Sequence, residues 1–313
     1  MILSVSRRTD ILAFYCDWFF NRLKEGYVLV RNPMNYRQVS KIKLTPEVID
    51  CIVFWTKDPT NIIKNLDKLN KYNYYFQVTI NPYDKKIEKN VPMKKNIIKS
   101  FKFLSEKIGR EKVIWRYDPI LLTKDIDIAY HEKYFEVLAS RLYGYTDKCV
   151  ISFIDLYTKI KRNMKYINQE DINYEKMLFI GEKLSKIASK YNITIESCSE
   201  KINLSRVGIN HGKCIDGELI SRIVNQKLEI KKDKNQRELC GCIASIDIGT
   251  YNTCDYGCLY CYANFSDKSI KNNILKHDIN SPMLIGNLES KDKITDRKIK
   301  TYIDNQISFS NMI

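Results

Sequence analysis

The densest chemistry in the chain lies in Thr253-Cys254-Asp255-Tyr256-Gly257-Cys258-Leu259-Tyr260-Cys261-Tyr262-Ala263-Asn264, directly after the strand-like run Ala244–Ile248. Three thiolates spaced C-x3-C-x2-C on one loop can each bind a different iron of a cubane cluster. The fourth iron is then left without a protein ligand and open to a small molecule. A zinc knuckle is the alternative reading, but structural zinc prefers four ligands and ferredoxin runs also supply a fourth cysteine. Cys198, Cys214, Cys240 and Cys242 lie upstream in loop-like sequence, beside Glu200, His211 and Gly241. Four thiols suffice for a second [4Fe–4S] cluster or for a zinc site, and their wide spacing leaves both open, with unligated thiols as a third reading. Iron–sulfur is the favoured metal, because a second cluster could relay electrons to the first. His211 reads as a loop histidine before it reads as a ligand. Cys16, Cys51 and Cys149 sit in apolar segments, where cysteine behaves as a small hydrophobe.

These loops need a scaffold. Short β-branched or aromatic runs recur at Ile2–Ser6, Cys51–Trp55, Tyr74–Ile80, Val113–Tyr117, Cys149–Ile154 and Ile193–Ser197, ahead of the last at Ala244–Ile248. Between them, Tyr15–Glu25, Asn61–Leu69, Met93–Ile108, His131–Leu142 and Tyr174–Tyr191 carry helical spacing. Alternation of this kind predicts βαβ units and a parallel sheet. With no glycine-rich phosphate fingerprint after the first strand, the expected fold is an α/β protein, a parallel (β/α) barrel or partial barrel. Residues 1–207 are read as the barrel units, 208–264 as a cysteine-rich region with the final strand and the cluster loop, and 265–313 as a peripheral tail.

The strand ends carry the polar residues. Arg7, Arg8, Thr9 and Asp10 follow the first run, Thr56, Lys57 and Asp58 the second, and Asn81 the third. Arg116 and Asp118 lie at the fourth, Ser152 and Asp155 at the fifth, Glu196 and Ser197 at the sixth. In a parallel barrel these C-terminal ends converge on the active-site face. Strand-to-helix turns are polar in any case and helix caps want Asp, Ser or Thr, so the weight lies on the set and not on one residue. Arg7, Arg8, Asp10, Arg116 and Asp118 are the candidate catalytic and anchoring residues, the arginines through charge-assisted hydrogen bonds to a carboxylate or an anionic substrate.

Of 313 residues, 44% are hydrophobic and 12% aromatic, ample for a core and against disorder. No apolar run reaches the length of a membrane span, and Met1–Arg8 lacks the apolar stretch of a signal peptide. The expectation is a cytoplasmic protein with no membrane partner, whose ten cysteines are thiols for metal, catalysis or burial. The net charge of +15 suggests a polyanion partner, yet most of the excess is scattered lysine without a phosphate-reading arginine cluster. A basic, metal-stabilised nucleic-acid-binding protein is therefore the alternative and not the leading function. Three histidines, none beside a nucleophile motif, argue against a Ser-His-Asp hydrolase.

The cysteine spacing, with Tyr260 just before the last thiol, resembles the radical S-adenosylmethionine superfamily. The resemblance implies a [4Fe–4S] cluster on Cys254, Cys258 and Cys261 whose open iron chelates S-adenosylmethionine. Reductive cleavage, fed by a reductant such as flavodoxin or ferredoxin, would give a 5′-deoxyadenosyl radical that abstracts hydrogen from an unknown substrate. In that superfamily the loop follows the first barrel strand; here it follows the last, which implies a circular permutation with Ala244–Ile248 as first strand and Ile2–Ser6 as second. The superfamily's Gly-Gly-Glu after the second strand should then fall near Arg7–Asp10 and is absent. Thr9 or Asp10 would have to substitute for it, with Tyr260 and Asn81 as further cofactor contacts. Taken with Ser6-Arg7-Arg8-Thr9-Asp10, Val53-Phe54-Trp55-Thr56-Lys57, Trp115-Arg116-Tyr117-Asp118-Pro119, Cys240-Gly241-Cys242 and Ser245-Ile246-Asp247-Ile248-Gly249, the chain resembles domain-of-unknown-function family 1848 over nearly its full length. That family is noted for a C-terminal cysteine cluster similar to that of radical S-adenosylmethionine enzymes.

Overall fold

The computed structural model describes residues 1–156, 158–228 and 230–303. The last ten positions of the expected tail lie outside the described residues. Eight parallel strands form the main sheet: β1 (Ile2–Val5), β4 (Cys51–Thr56), β5 (Tyr74–Thr79), β6 (Val113–Ile120), β7 (Lys148–Phe153), β8 (Thr194–Ser197), β9 (Asn210–His211) and β10 (Ile246–Asp247). Their order is β10-β1-β4-β5-β6-β7-β8-β9, so the strand last in sequence lies beside the first, with Leu3 opposite Ile246 and Ser4 opposite Asp247. The expected α/β fold with a parallel sheet is present. Closure into a barrel is not: β9 and β10 are the two edges, and no pairing joins them among the described residues.

Both faces of the sheet are buried, which explains the near-continuous apolar runs. On β4, Ile52 and Phe54 join the larger core while Cys51 and Val53 face the other way; Trp115 and Ile114 divide likewise on β6. The larger core lies under α2 (Cys16–Glu25), α4 (Lys94–Ile108), α5 (Ile128–Leu142) and α7 (Tyr174–Lys190). In α5 the Asp127 side chain caps the Tyr130 N–H, and His131, Phe135, Leu138, Ala139 and Leu142 then fall on one buried stripe. His131 is structural: its ring lies 2.7 Å from the Tyr117 hydroxyl and 2.8 Å from the Leu121 carbonyl. Cys16, Cys51 and Cys149 are buried as expected.

The opposite face is covered by a stretch of chain that the sequence reading left as loop. Cys214, Ile215, Cys240, Cys242 and Ile243, with Leu219 and Ile220 of α8 (Gly217–Val224), pack on Ile2, Cys51, Val53, Tyr75, Ile114 and Val150. Tyr75 and Gln77 both donate hydrogen bonds to the Cys214 carbonyl, at 2.7 and 2.9 Å. This cover brings the upstream cysteines onto the sheet.

A second sheet was not expected. Strands β2 (Tyr27–Asn32) and β3 (Asn35–Lys43) form an antiparallel hairpin, and β11 (Lys293–Asp296) adds to β3 in parallel. The tail first holds to this side of the molecule, and its last described residues then pass to Asp50 and to Leu228 over the other face. Trp18 donates to the Ser281 carbonyl at 2.9 Å, Arg22 to that of Asn280 at 3.1 Å, and the Leu29 N–H to that of Pro282 at 2.8 Å.

Candidate functional site

A cavity of about 480 Å³ opens at the C-terminal ends of the parallel strands. Its walls come from Ser6–Asp10 after β1, Trp55–Lys57 at the end of β4, Arg116 and Asp118 on β6, Ser152–Asp155 at the end of β7 and Cys198–Ser199 after β8. All seven cysteines singled out for metal face it: Cys198, Cys214, Cys240 and Cys242, and Cys254, Cys258 and Cys261. Among the described residues, none beyond Ala263 lines it.

The joint between β10 and β1 sets where the terminal loop begins. Asp247 accepts from the hydroxyls of Ser4 and Ser6 at 2.8 and 2.7 Å and from the N–H groups of Arg7 and Gly249 at 2.8 and 2.9 Å. A Cβ on residue 249 would lie 1.9 Å from the Ser6 hydroxyl oxygen, so glycine is required there. The loop is then pinned along its length. Tyr15 donates to the Thr253 carbonyl at 2.6 Å and Asn264 to that of Cys254 at 2.7 Å, while the Leu259 N–H reaches the Ile87 carbonyl at 3.0 Å. Desolvation pushes the Cys258 thiol up to about 12, against the opposing charge of Lys57.

Glu88, which the sequence reading missed, is the hub beneath that loop. It is 1% exposed, and its carboxylate accepts from Lys57 at 2.8 Å, from Lys94 and from the Tyr260 hydroxyl. Burial alone would raise its pKa, but the two ammonium groups overcome it and hold Glu88 at about 2. Lys57 also donates to Tyr260 at 2.8 Å. Tyr260 therefore anchors the loop and borders the cavity. Asn81 does not reach the cavity wall: it exchanges hydrogen bonds with the backbone of Asp118 at 2.8 and 2.9 Å and donates to Tyr260 at 3.1 Å. As a direct cofactor contact it is displaced; it supports two residues that line the space.

The upstream thiols have converged from three separate segments. The sulfurs of Cys198 and Cys214 are 3.0 Å apart, Cys214 is hydrogen-bonded to Cys242, and Cys242 to Cys240. Arg116, 5% exposed and stacked over Trp55, donates through Nη1 to the Cys214 sulfur at 2.8 Å and to Gln77 at 3.3 Å. Its Nε donates to Asp118 at 3.1 Å, and Nη2 reaches the same carboxylate, which Ser152 also contacts. Hydrogen bonds from Cys198 and Cys242, with Arg116 beside them, hold Cys214 well below the usual thiol range. The hydrogen bond with Cys242 lowers Cys240 to about 6. Arg116 and Asp118 pair with each other on the cavity wall, and the guanidinium is aimed at the Cys214 sulfur.

The residues after β1 divide in a similar way. Arg7 and Arg8 border the cavity with side chains 22% and 26% exposed, each with Nε 3.9 Å from Asp247. Asp10 also borders it, yet both carboxylate oxygens are occupied, by the Ala13 N–H at 3.1 Å and by Thr56 and the Lys57 N–H at 3.0 and 2.7 Å. Burial raises Asp10 to about 7 against those three hydrogen bonds. Thr9 and Tyr256 also border the cavity, but their hydroxyl oxygens are buried away from the open space and have no partner. Buried hydroxyls without a partner are costly. Among the described residues, no three of His, Cys, Asp and Glu converge on one metal-ion position. A cubane does not ask for that, since each cysteine binds a different iron.

No helix of the described residues is long and apolar enough to cross a membrane. No curated protein matches the sequence. Among solved structures, the chain is similar at 11% identity to a putative alpha-L-fucosidase from Bacteroides thetaiotaomicron, with a TM-score of 0.27. That match covers 50% of this chain and 66% of the other, just under two thirds, and carries no argument about fold or activity. The family model described as Domain of unknown function (DUF1848) matches residues 2–263, across both cysteine groups and every strand of the main sheet, and the chain belongs to that family.

Proposed function

We propose that the chain is an iron–sulfur enzyme of the radical S-adenosylmethionine type, with its cluster on Cys254, Cys258 and Cys261. The observation that carries this reading is the placing of those three thiols, from one loop, on the wall of a cavity at the C-terminal ends of a parallel sheet. The donor set suits the group: three soft thiolates on one short loop leave a cubane with one open iron. With S-adenosylmethionine bound, the cluster would supply reductive cleavage to a 5′-deoxyadenosyl radical that abstracts hydrogen from the substrate. The position of β10 beside β1 supports the permuted arrangement, in which the last strand takes the place of the first.

The chain's own residues have four tasks in this reading. Lys57, Glu88 and Tyr260 fix the loop, so that the thiols keep their spacing as the cavity fills. Thr9 and Asp10 stand where the family resemblance predicts an absent Gly-Gly-Glu, and with Tyr256 they border the space the cosubstrate would take. Arg7 and Arg8 offer positive charge for a carboxylate, and Asp247 holds them beside the cavity. The enclosing strand ends shelter the reacting centre from water. A reductant such as flavodoxin or ferredoxin would supply the electron.

The test is formation of 5′-deoxyadenosine from S-adenosylmethionine by the anaerobically reconstituted protein with a chemical reductant. Wild type should form it and Cys258→Ala should not. Formation at the wild-type rate by Cys258→Ala would sink the proposal. Zinc without sulfide, together with nucleic-acid binding that falls steeply with salt, would replace it by the binding-protein reading.

A further inference from the structure

We infer that Cys198, Cys214, Cys240 and Cys242 hold a second iron–sulfur cubane on the same cavity. The inference goes beyond the radical chemistry and does not depend on it. Its first support is convergence. Cys198 follows β8, Cys214 follows β9, and Cys240 and Cys242 come after α8 and a further loop, yet their sulfurs form one hydrogen-bonded chain. All four are free thiols, and all four border the cavity. Buried unligated cysteines disperse through apolar cores as Cys16, Cys51 and Cys149 do here; they have no reason to collect.

The second support is what has been aimed at the sulfurs. Arg116 spends a buried guanidinium N–H on Cys214 at 2.8 Å, and the Ile215 N–H points at the Cys242 sulfur at 3.3 Å. A neutral thiol is a weak acceptor, whereas a ligating thiolate makes charge-assisted hydrogen bonds with such donors. Charge balance agrees. Four thiolates around a doubly positive cubane leave a net negative centre, and Arg116 lies against it.

The third support is room. Zinc would draw four sulfurs to about 2.3 Å from a single point. Any metal must part Cys198 from Cys214, and the cavity of about 480 Å³ on which all four border leaves space for the larger group. Arg116 is then a positioning residue for the second centre.

The experiment counts iron, sulfide and zinc in the full chain after anaerobic reconstitution, with Mössbauer spectra to identify the cluster type. Wild type is compared with Cys254→Ala/Cys258→Ala/Cys261→Ala and with Cys198→Ser/Cys214→Ser/Cys240→Ser/Cys242→Ser. The expected result is about eight irons in wild type and about four in each variant. About four in wild type and in the quadruple variant, with none in the triple, overturns this inference and leaves the radical reading standing. About four in wild type, kept by the triple and lost by the quadruple, supports it while the radical reading falls. Zinc kept by the triple variant and lost from the quadruple overturns the cubane. If the quadruple variant fails to fold, the triple variant decides: a cubane of about four irons kept in it supports the inference, and no iron in it overturns the inference.

Discussion

The two groups of thiols reach one cavity by opposite routes. Cys254, Cys258 and Cys261 come from a single loop, so their spacing is a local property that the fold has only to anchor. Cys198, Cys214, Cys240 and Cys242 are gathered from three segments, and their meeting depends on how residues 214–243 lie over the sheet. The charges follow the same division. Beside the loop, Lys57 is shared between Glu88 and Tyr260 and acts on Cys258 from a short distance, whereas Arg116 touches Cys214 directly. A local motif can be supported from below; a distributed one has to be held at the sulfurs themselves.

Four measurements break or sharpen this contrast. The largest effect is expected at the loop: Cys258→Ala should abolish 5′-deoxyadenosine formation while leaving the upstream iron in place. Next, Glu88→Leu leaves the half-buried Lys57 and Lys94 without their shared carboxylate, a loss of about 3 kcal/mol, the low end of the cost of breaking a buried pair, that denaturant unfolding would read. If that variant unfolds at the wild-type midpoint, the loop does not rest on Glu88. Third, Arg116→Leu should weaken metal retention by the upstream group about 10- to 100-fold in a chelator competition, the usual cost of removing a supporting partner, and spare the loop. Equal loss from both groups would show that the two are not independent.

The smallest effect serves as a control on the helix-covered face. Burial lowers His131 from its ordinary value of 6.5 to about 4, so the unfolded chain takes up the proton first as pH falls. Stability from this group is thus complete above about 6.5 and declines as pH drops toward 4, by about 1.4 kcal/mol between pH 7.5 and 5.5. His131→Phe should be less stable than wild type at pH 7.5, with the gap narrowing by about that amount at pH 5.5. Asp10 and Glu200, both raised to about 7, slope the other way in wild type and variant alike and cancel in the difference. Neither thiol group should respond.

Seven strands of the main sheet were legible, five of them because burial on both faces writes a nearly unbroken apolar run, as in Cys51–Trp55 and Val113–Tyr117. The hairpin was not, since in Asn35–Lys43 only Val39 and Ile42 are buried and the rest reads as polar loop. Glu88 was invisible for a different reason. It stands among Asp84, Lys85, Lys86 and Lys89, and nothing in those residues says that one carboxylate turns inward to meet lysines from two other elements. Arg116 was singled out, but for a ligand in the cavity; its sulfur partner is 98 residues away in sequence.

The sequence by itself determined the alternation of strand and helix, the polar strand ends and the spacing of the terminal thiols, because each is a short-range pattern of residue types. Only the tertiary structure decided that β9 and β10 are the edges of the sheet among the described residues, that residues 214–243 cover one face, and that four distant cysteines share a wall with the other three. Those outcomes rest on contacts between segments far apart in the chain. Burial of the sheet face and the satisfaction of groups such as Glu88 and Arg116 select them, and neither can be counted until the partners are in place.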